Sequence, residues 1–131
     1  MIPLPQPDQE TRFFWDACAR KELMILRCNA CHLYIHPPRP ACRRCGSTDV
    51  GPARVSGRGV IHSYTVTAQP VPGYEPPFTV VLVDLEEQEG LRLVSQIVDV
   101  EPQDVRIGMP VEVTFRQASD DVWLPFFAWR R

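Results

Sequence analysis

The stretch Cys28-Asn-Ala-Cys31, followed after ten residues by Cys42-Arg-Arg-Cys45-Gly46, decides how this chain is read. Each C-x-x-C can curl into a knuckle that puts two sulfurs on one metal, and two knuckles complete the tetrahedral S4 site that zinc prefers. Two unrelated cysteine pairs would need a coincidence of spacing within eighteen residues. With Cys28, Cys31, Cys42 and Cys45 all serving as ligands, no position stays open for water or substrate, so the site reads as structural and not hydrolytic. The energetic reason is size. A lobe this short buries little apolar surface, whereas zinc typically supplies on the order of 10 to 16 kcal/mol to folding. Tetrahedral S4 also suits iron, and spacing alone does not separate the two metals. Cys28-Asn-Ala-Cys31-His32 matches the C-x-x-C-H of c-type haem attachment as well, but that chemistry requires export. The start Met-Ile-Pro-Leu-Pro-Gln-Pro lacks the basic and apolar regions of a signal peptide, which sets haem aside and predicts a cytoplasmic chain with reduced thiols.

Around the quartet, 131 residues allow one small domain or two mini-lobes. No apolar run approaches the ~18 to 20 residues that span a bilayer. Fourteen prolines exclude an all-helical bundle, because proline removes a backbone donor and clashes inside helices. The basic residues are thirteen arginines and only Lys21, and the formal net charge is −2. Four thiolates on one zinc take it to about −4. A protein that coats nucleic acid is usually basic, so this balance and a pI of 5.9 count against that function.

Residues 1–8 read as an extended leader or linker, with Pro3, Pro5 and Pro7 at alternate positions. Residues 9–22 read as a helix: Asp8 offers an N-cap, and Phe13, Phe14, Ala17 and Cys18 share one stripe. Leu23 to Arg27 is a short apolar strand that runs into Cys28, and the metal-bearing ribbon occupies 23–54. From 55 to 131, strand-like runs alternate with breakers at Val60–Thr67, Phe78–Leu85, Leu91–Val98, Val111–Arg116 and Trp123–Ala128. Between the third and fourth of these, Glu101–Pro110 is long enough for a helical turn across a barrel end. Five strands with that insertion are the OB arrangement, so the expected class is mainly β. The loop Ala68–Pro77, stiffened by Pro70, Pro72, Pro76 and Pro77 with Tyr74 at its centre, is either a binding loop or a rigid surface connection.

No catalytic constellation emerges: Gly-x-Ser-x-Gly, a Gly-rich phosphate loop and His-Glu-x-x-His are all missing. His62 and Tyr64 alternate on one strand face, where they address a ligand or simply pack. Glu86, Glu87 and Glu89 precede Gly90 as solvated turn charge. Cys18 reads as a small buried hydrophobe, with no cationic neighbour to generate a thiolate. Between Arg39 and Arg58 lie five arginines (39, 43, 44, 54 and 58) against Asp49 alone, a balance of +4. Arg39, Arg43, Arg44 and Arg58 are therefore candidates to take the phosphates of a cofactor such as coenzyme A, with Tyr74 walling the apolar side, or to dock on a partner. Trp123, Phe126, Phe127 and Trp129 exceed what one strand face hides, so some of them are expected to meet a partner.

The series Phe14-Trp15, Leu23 to Cys28, Cys31, Pro38-Arg39, Cys42-x-x-Cys45-Gly46, Gly57-x-Gly59 with Ser63-Tyr64-Thr65, Pro77-Phe78 and Ile107-Gly-Met-Pro-Val111 resembles the acyl-CoA-associated zinc-ribbon and OB-fold family, long catalogued as a domain of unknown function. The resemblance spans about residues 9 to 128. It implies an N-terminal helical segment, a rubredoxin-like zinc ribbon and a C-terminal OB barrel, with one zinc on the four cysteines. It also implies accessory work beside thiolase-fold enzymes (thiolases, acyltransferases and lyases that cleave steroid side-chain CoA esters), which carry the chemistry and the acyl-CoA. Some members follow a MaoC-like hydratase domain, which a proline-rich leader would suit. The chain departs from the usual pattern at His32, where glycine often follows the first knuckle, and this puts the local turn geometry in question. No catalytic residue carries over. The alternative class is a single-stranded nucleic-acid-binding module, since ribbons and OB barrels both serve that purpose.

Overall fold

Leu23–Cys28 forms β1, and its burial explains why four apolar residues run consecutively there. Leu23 and Ile25 join the core of the C-terminal barrel, while Leu26 and Cys28 join a smaller cluster with Leu33, Ile35 and Cys42. Both faces of β1 are therefore covered, and the strand stitches the two lobes together. The computed structural model describes residues 4–131. Pro3 of the expected leader lies outside the described residues, and Leu4 to Asp8 carry no regular structure.

The N-terminal helix, α1, spans Arg12–Ala19, shorter at both ends than the sequence pattern predicts. At its start, Asp8 Oδ1 accepts from the backbone N–H groups of Glu10 and Thr11 and from the Thr11 hydroxyl, so residues 8–11 form a turn and Asp8 heads that turn instead of capping the helix. At its end, Lys21 sits at φ 60°, its N–H reaching the Cys18 carbonyl while that of Glu22 reaches Ala17. This is a Schellman stop made by a lysine where glycine is usual, and so it left no signal in the sequence. Phe14, Ala17 and Cys18 are buried, as the stripe predicts.

β1 is the centre of a three-stranded sheet, flanked by β2 (Tyr34–Ile35) and β3 (Val50–Val55), both antiparallel to it. Neither flanking strand was expected: β2 has two residues, and β3 carries Gly51 and Pro52. Pro52 is tolerated because β3 is an edge strand. Then come β4 (Arg58–Thr67), β5 (Phe78–Leu85), β6 (Arg92–Ile97), a 3-10 turn at Pro102–Asp104, β7 (Pro110–Gln117) and β8 (Trp123–Trp129). These five strands close a barrel in the order β4-β5-β6-β8-β7, with β6 and β8 parallel at Ile97 and Phe127. That is the OB topology.

The C-terminal aromatics use both faces of β8. Phe127 is fully buried inside the barrel, and Phe126, on the opposite face of β8, is buried as well because α1 packs against that strand. Trp123 is half-buried under the Lys21 ammonium, 4.6 Å from its ring centroid. Only Trp129 stays exposed, stacked by Arg131. A strand on a barrel wall has two faces to bury aromatics on when a helix covers its outside.

The turn bearing Glu86, Glu87 and Glu89 is more than solvated charge. Glu86 pairs with Arg58 and Ser56, Glu87 accepts the Ser56 N–H at 2.7 Å, and Gln88 bonds both backbone groups of Tyr34. Gln88 thereby latches β2 of the ribbon onto the barrel.

Candidate metal centre and apolar cleft

The two knuckles are built alike. In the first, the His32 N–H donates to the Cys28 carbonyl at 2.9 Å; in the second, the Gly46 N–H donates to Cys42 at the same distance. Both donors have left-handed backbone, φ 68° and 77°. The glycine usual after the first knuckle is thus explained, and His32 keeps the turn by accepting strain that Gly46 avoids. His32→Gly should raise stability by about 0.5–1 kcal/mol, since relieved strain slightly exceeds the added unfolded-state entropy. A thermal melt showing no gain or a loss would contradict this.

The sulfurs converge. Cys28 Sγ lies 3.6 Å from Cys45 Sγ, Cys31 Sγ lies 3.6 Å from Cys42 Sγ, and all four fall within 4.8 Å of one another. Four sulfurs at ~2.3 Å from a tetrahedral zinc stand about 3.8 Å apart, so the donor set fits that ion. Backbone N–H groups of Cys31 and Arg44 point at Cys28 and Cys42 Sγ, both at 3.4 Å. The Leu33 N–H and then the Arg44 guanidinium bring the Cys31 thiol down to about 6, and the Cys45 N–H holds Cys42 below the ordinary thiol range. Cys18 is the opposite case, since burial alone pushes it up to about 12, which leaves an inert thiol in the helix–barrel core.

The candidate arginines do not gather in one cleft. Arg44 donates to the Cys31 carbonyl at 2.9 Å, Arg54 pairs with Glu22, and Arg58 with Glu86. Arg39 and Arg43 are exposed and make no salt bridge among the described residues. His62 is the extra residue of a bulge between Ile61 and Ser63, which breaks the alternation with Tyr64 that the sequence implied. His62 Nδ1 lies 3.1 Å from Asp84, itself held by Arg92, and nothing aligns Tyr64 with that group.

Tyr74 lies elsewhere, in a cleft of about 540 Å³ that sequence reasoning missed. Phe14 and Trp15 of α1 form one wall, and His36, Pro37 and Pro38 of the ribbon another. Val71 and Tyr74 of the proline-rich loop close a third side, and the floor is the outer face of β5, β6 and β8. The one available signal was β5, where Phe78, Val80 and Leu82 on one face and Val81 and Val83 on the other are all apolar. Such a strand has both faces covered.

A four-cysteine ribbon stitched to a closed five-stranded barrel defines the class, a zinc-ribbon and OB-fold protein. Residues 15–51 match the ChsH2 rubredoxin-like zinc ribbon domain, and residues 53–116 the ChsH2 C-terminal OB-fold domain. A DUF35 domain-containing scaffold protein of Pyrococcus furiosus is 33% identical over 88% of this chain and 84% of its own length. This chain therefore belongs to the ChsH2/DUF35 family. The 3-oxo-4,17-pregnadiene-20-carboxyl-CoA hydratase alpha subunit of Mycobacterium tuberculosis is 38% identical over 95% of this chain, which spans 39% of that relative's length. Among solved structures, a chain of the Ltp2-ChsH2(DUF35) aldolase overlays with a TM-score of 0.89 at 37% identity, covering 95% of this chain and 98% of that one. No helix among the described residues is long and apolar enough to cross a membrane.

Proposed function

We propose that this chain is a non-catalytic accessory subunit or domain that docks on a thiolase-fold enzyme and supports that enzyme's acyl-CoA reaction in the cytoplasm. The observation that carries this reading is the near-complete overlay on a chain of an aldolase assembly. The hydratase relative supports a steroid-type acyl-CoA as the substrate served, and an accompanying MaoC-like hydratase domain belongs to the same proposal. One zinc per chain holds the ribbon in shape for docking. Among the candidate cations, Arg39 and Arg43 are left to meet a partner or the phosphates of its acyl-CoA, since Arg44 and Arg58 have structural partners. Tyr74 serves this chain's own cleft.

Co-expression with a thiolase-fold enzyme tests the reading. A complex of fixed stoichiometry is expected, with retro-aldol or acyl-transfer turnover that depends on this chain. Turnover of acyl-CoA by the chain alone, or a thiolase-fold enzyme fully active without it, would defeat it. The double variant Arg39→Ala, Arg43→Ala should weaken assembly or raise the apparent KM for acyl-CoA several-fold, while the zinc content stays at the wild-type level. No salt-dependent shift of single-stranded oligonucleotide is expected at moderate salt.

A further inference from the structure

The outer wall of an OB barrel alternates with its packed interior and is ordinarily polar where solvent reaches it. Here the outward residues of three strands, Val80 of β5, Val94 of β6 and Leu124 and Phe126 of β8, are apolar, and other parts of the chain stand over them without filling the space. The volume of about 540 Å³ lies within the range of ~300–1,000 Å³ typical of small-molecule sites. Two further properties narrow the occupant. The lining contains no Asp, Glu, Lys or Arg, and burial holds the His36 imidazole below its ordinary pKa, in the neutral form. Four hydrogen-bonding side chains on these apolar walls, Trp15, His36, Tyr74 and Gln96, are half-buried and have no side-chain hydrogen bond among the described residues. A charged group entering the cleft would lose hydration without gaining a counter-ion, whereas a hydroxyl or carbonyl would find a partner.

We propose that this cleft binds an uncharged, hydrocarbon-rich small molecule, or the uncharged body of a larger one, through its apolar walls, with a hydroxyl or carbonyl group meeting His36 and Gln96. The assignment rests on the cleft alone and holds whichever enzyme the chain accompanies. Its concave shape, with walls contributed by α1, the ribbon, the loop and the barrel, suits a compact ligand better than a flat protein surface. Linear and ring-shaped bodies share this chemistry, and the test separates them.

The zinc-loaded chain is titrated with 1-decanol and with the saturated bicyclic alcohol 2-decalol, read by NMR shifts and calorimetry. Saturable binding of at least one is expected, with shifts at Trp15, His36, Tyr74 and Gln96; the tighter of the two reports a chain or a ring system. Val94 is 67% exposed at the rim, so Val94→Arg should fold with an unchanged melting temperature while weakening the probe at least tenfold. Tyr74→Ala, on the loop side, should weaken it independently. Absence of saturable binding for both alcohols overturns the proposal. Equal binding of decanoate overturns the assignment of an uncharged ligand, and wild-type affinity in both variants overturns the location.

Discussion

Cys42→Ser is expected to release the metal and unfold the ribbon while much of the barrel persists. A hydroxyl in place of one thiolate leaves three sulfurs, and the ion's contribution to folding depends on all four. Cys42 also belongs to the five-residue apolar cluster of the lobe, its N–H bonds the Ser47 carbonyl, and its carbonyl receives the Gly46 N–H. That cluster is too small to hold 28–49 in place without the ion. The barrel core, by contrast, draws mostly on β4 to β8. Metal analysis should find one zinc per chain in the wild type, or iron if the S4 site takes that ion, and little of either in the variant. Hydrogen exchange should show protection lost across 28–49 and retained in β5 to β7. Full metal content with an unchanged unfolding profile would refute the account. The loss should spread partway into the barrel, because Leu23 and Ile25 of β1 lie in its core, so the melting temperature of the remainder should fall too.

The same residues show what sequence makes visible. β5 spans Phe78–Leu85 as expected, since a continuous apolar, β-branched run and flanking breakers agree there. The cysteine spacing announced its convergence because each knuckle is local, closed by hydrogen bonds across four residues. What stayed hidden depends on partners distant in the chain. β3 becomes a strand through β1, against the tendencies of Gly51 and Pro52. Gln88 acts on Tyr34, 54 positions away, and no local pattern distinguishes it from an ordinary turn residue. The cleft is assembled from α1, the ribbon, a loop and three strands. The arginines made a run in sequence yet Arg44, Arg54 and Arg58 take separate partners, because the run crosses from the second knuckle through β3 into the start of the barrel. A local excess of charge is a statement about sequence distance, and a ribbon that turns twice disperses it.

Gly59→Ala is the second change expected to have a large effect, although it adds a single methyl group. The motif Gly57-x-Gly59 opens the barrel, where β4 lies between β5 and β7: Gly59 faces Leu85 on one side and Val111 on the other. A Cβ on Gly59 would run into the Asp84 carbonyl oxygen and the Val83 side chain. The oxygen belongs to the β5 backbone, fixed by pairing on both edges, and cannot yield as the end of a flexible side chain would. The cost is therefore expected at or above the upper end of the ~1–3 kcal/mol typical of overpacking, since strand separation at the seam must change. Gly90→Ala is the matching control. Its φ of 79° also disfavours a side chain, yet nothing lies within 4 Å of an added Cβ, so only the backbone term of about 1–2 kcal/mol applies. Denaturant titrations of the two variants should rank Gly59→Ala as clearly less stable. A reversed order would mean that the β4–β5 seam is pliable and that the barrel closes by some means other than the close backbone approach at Gly59.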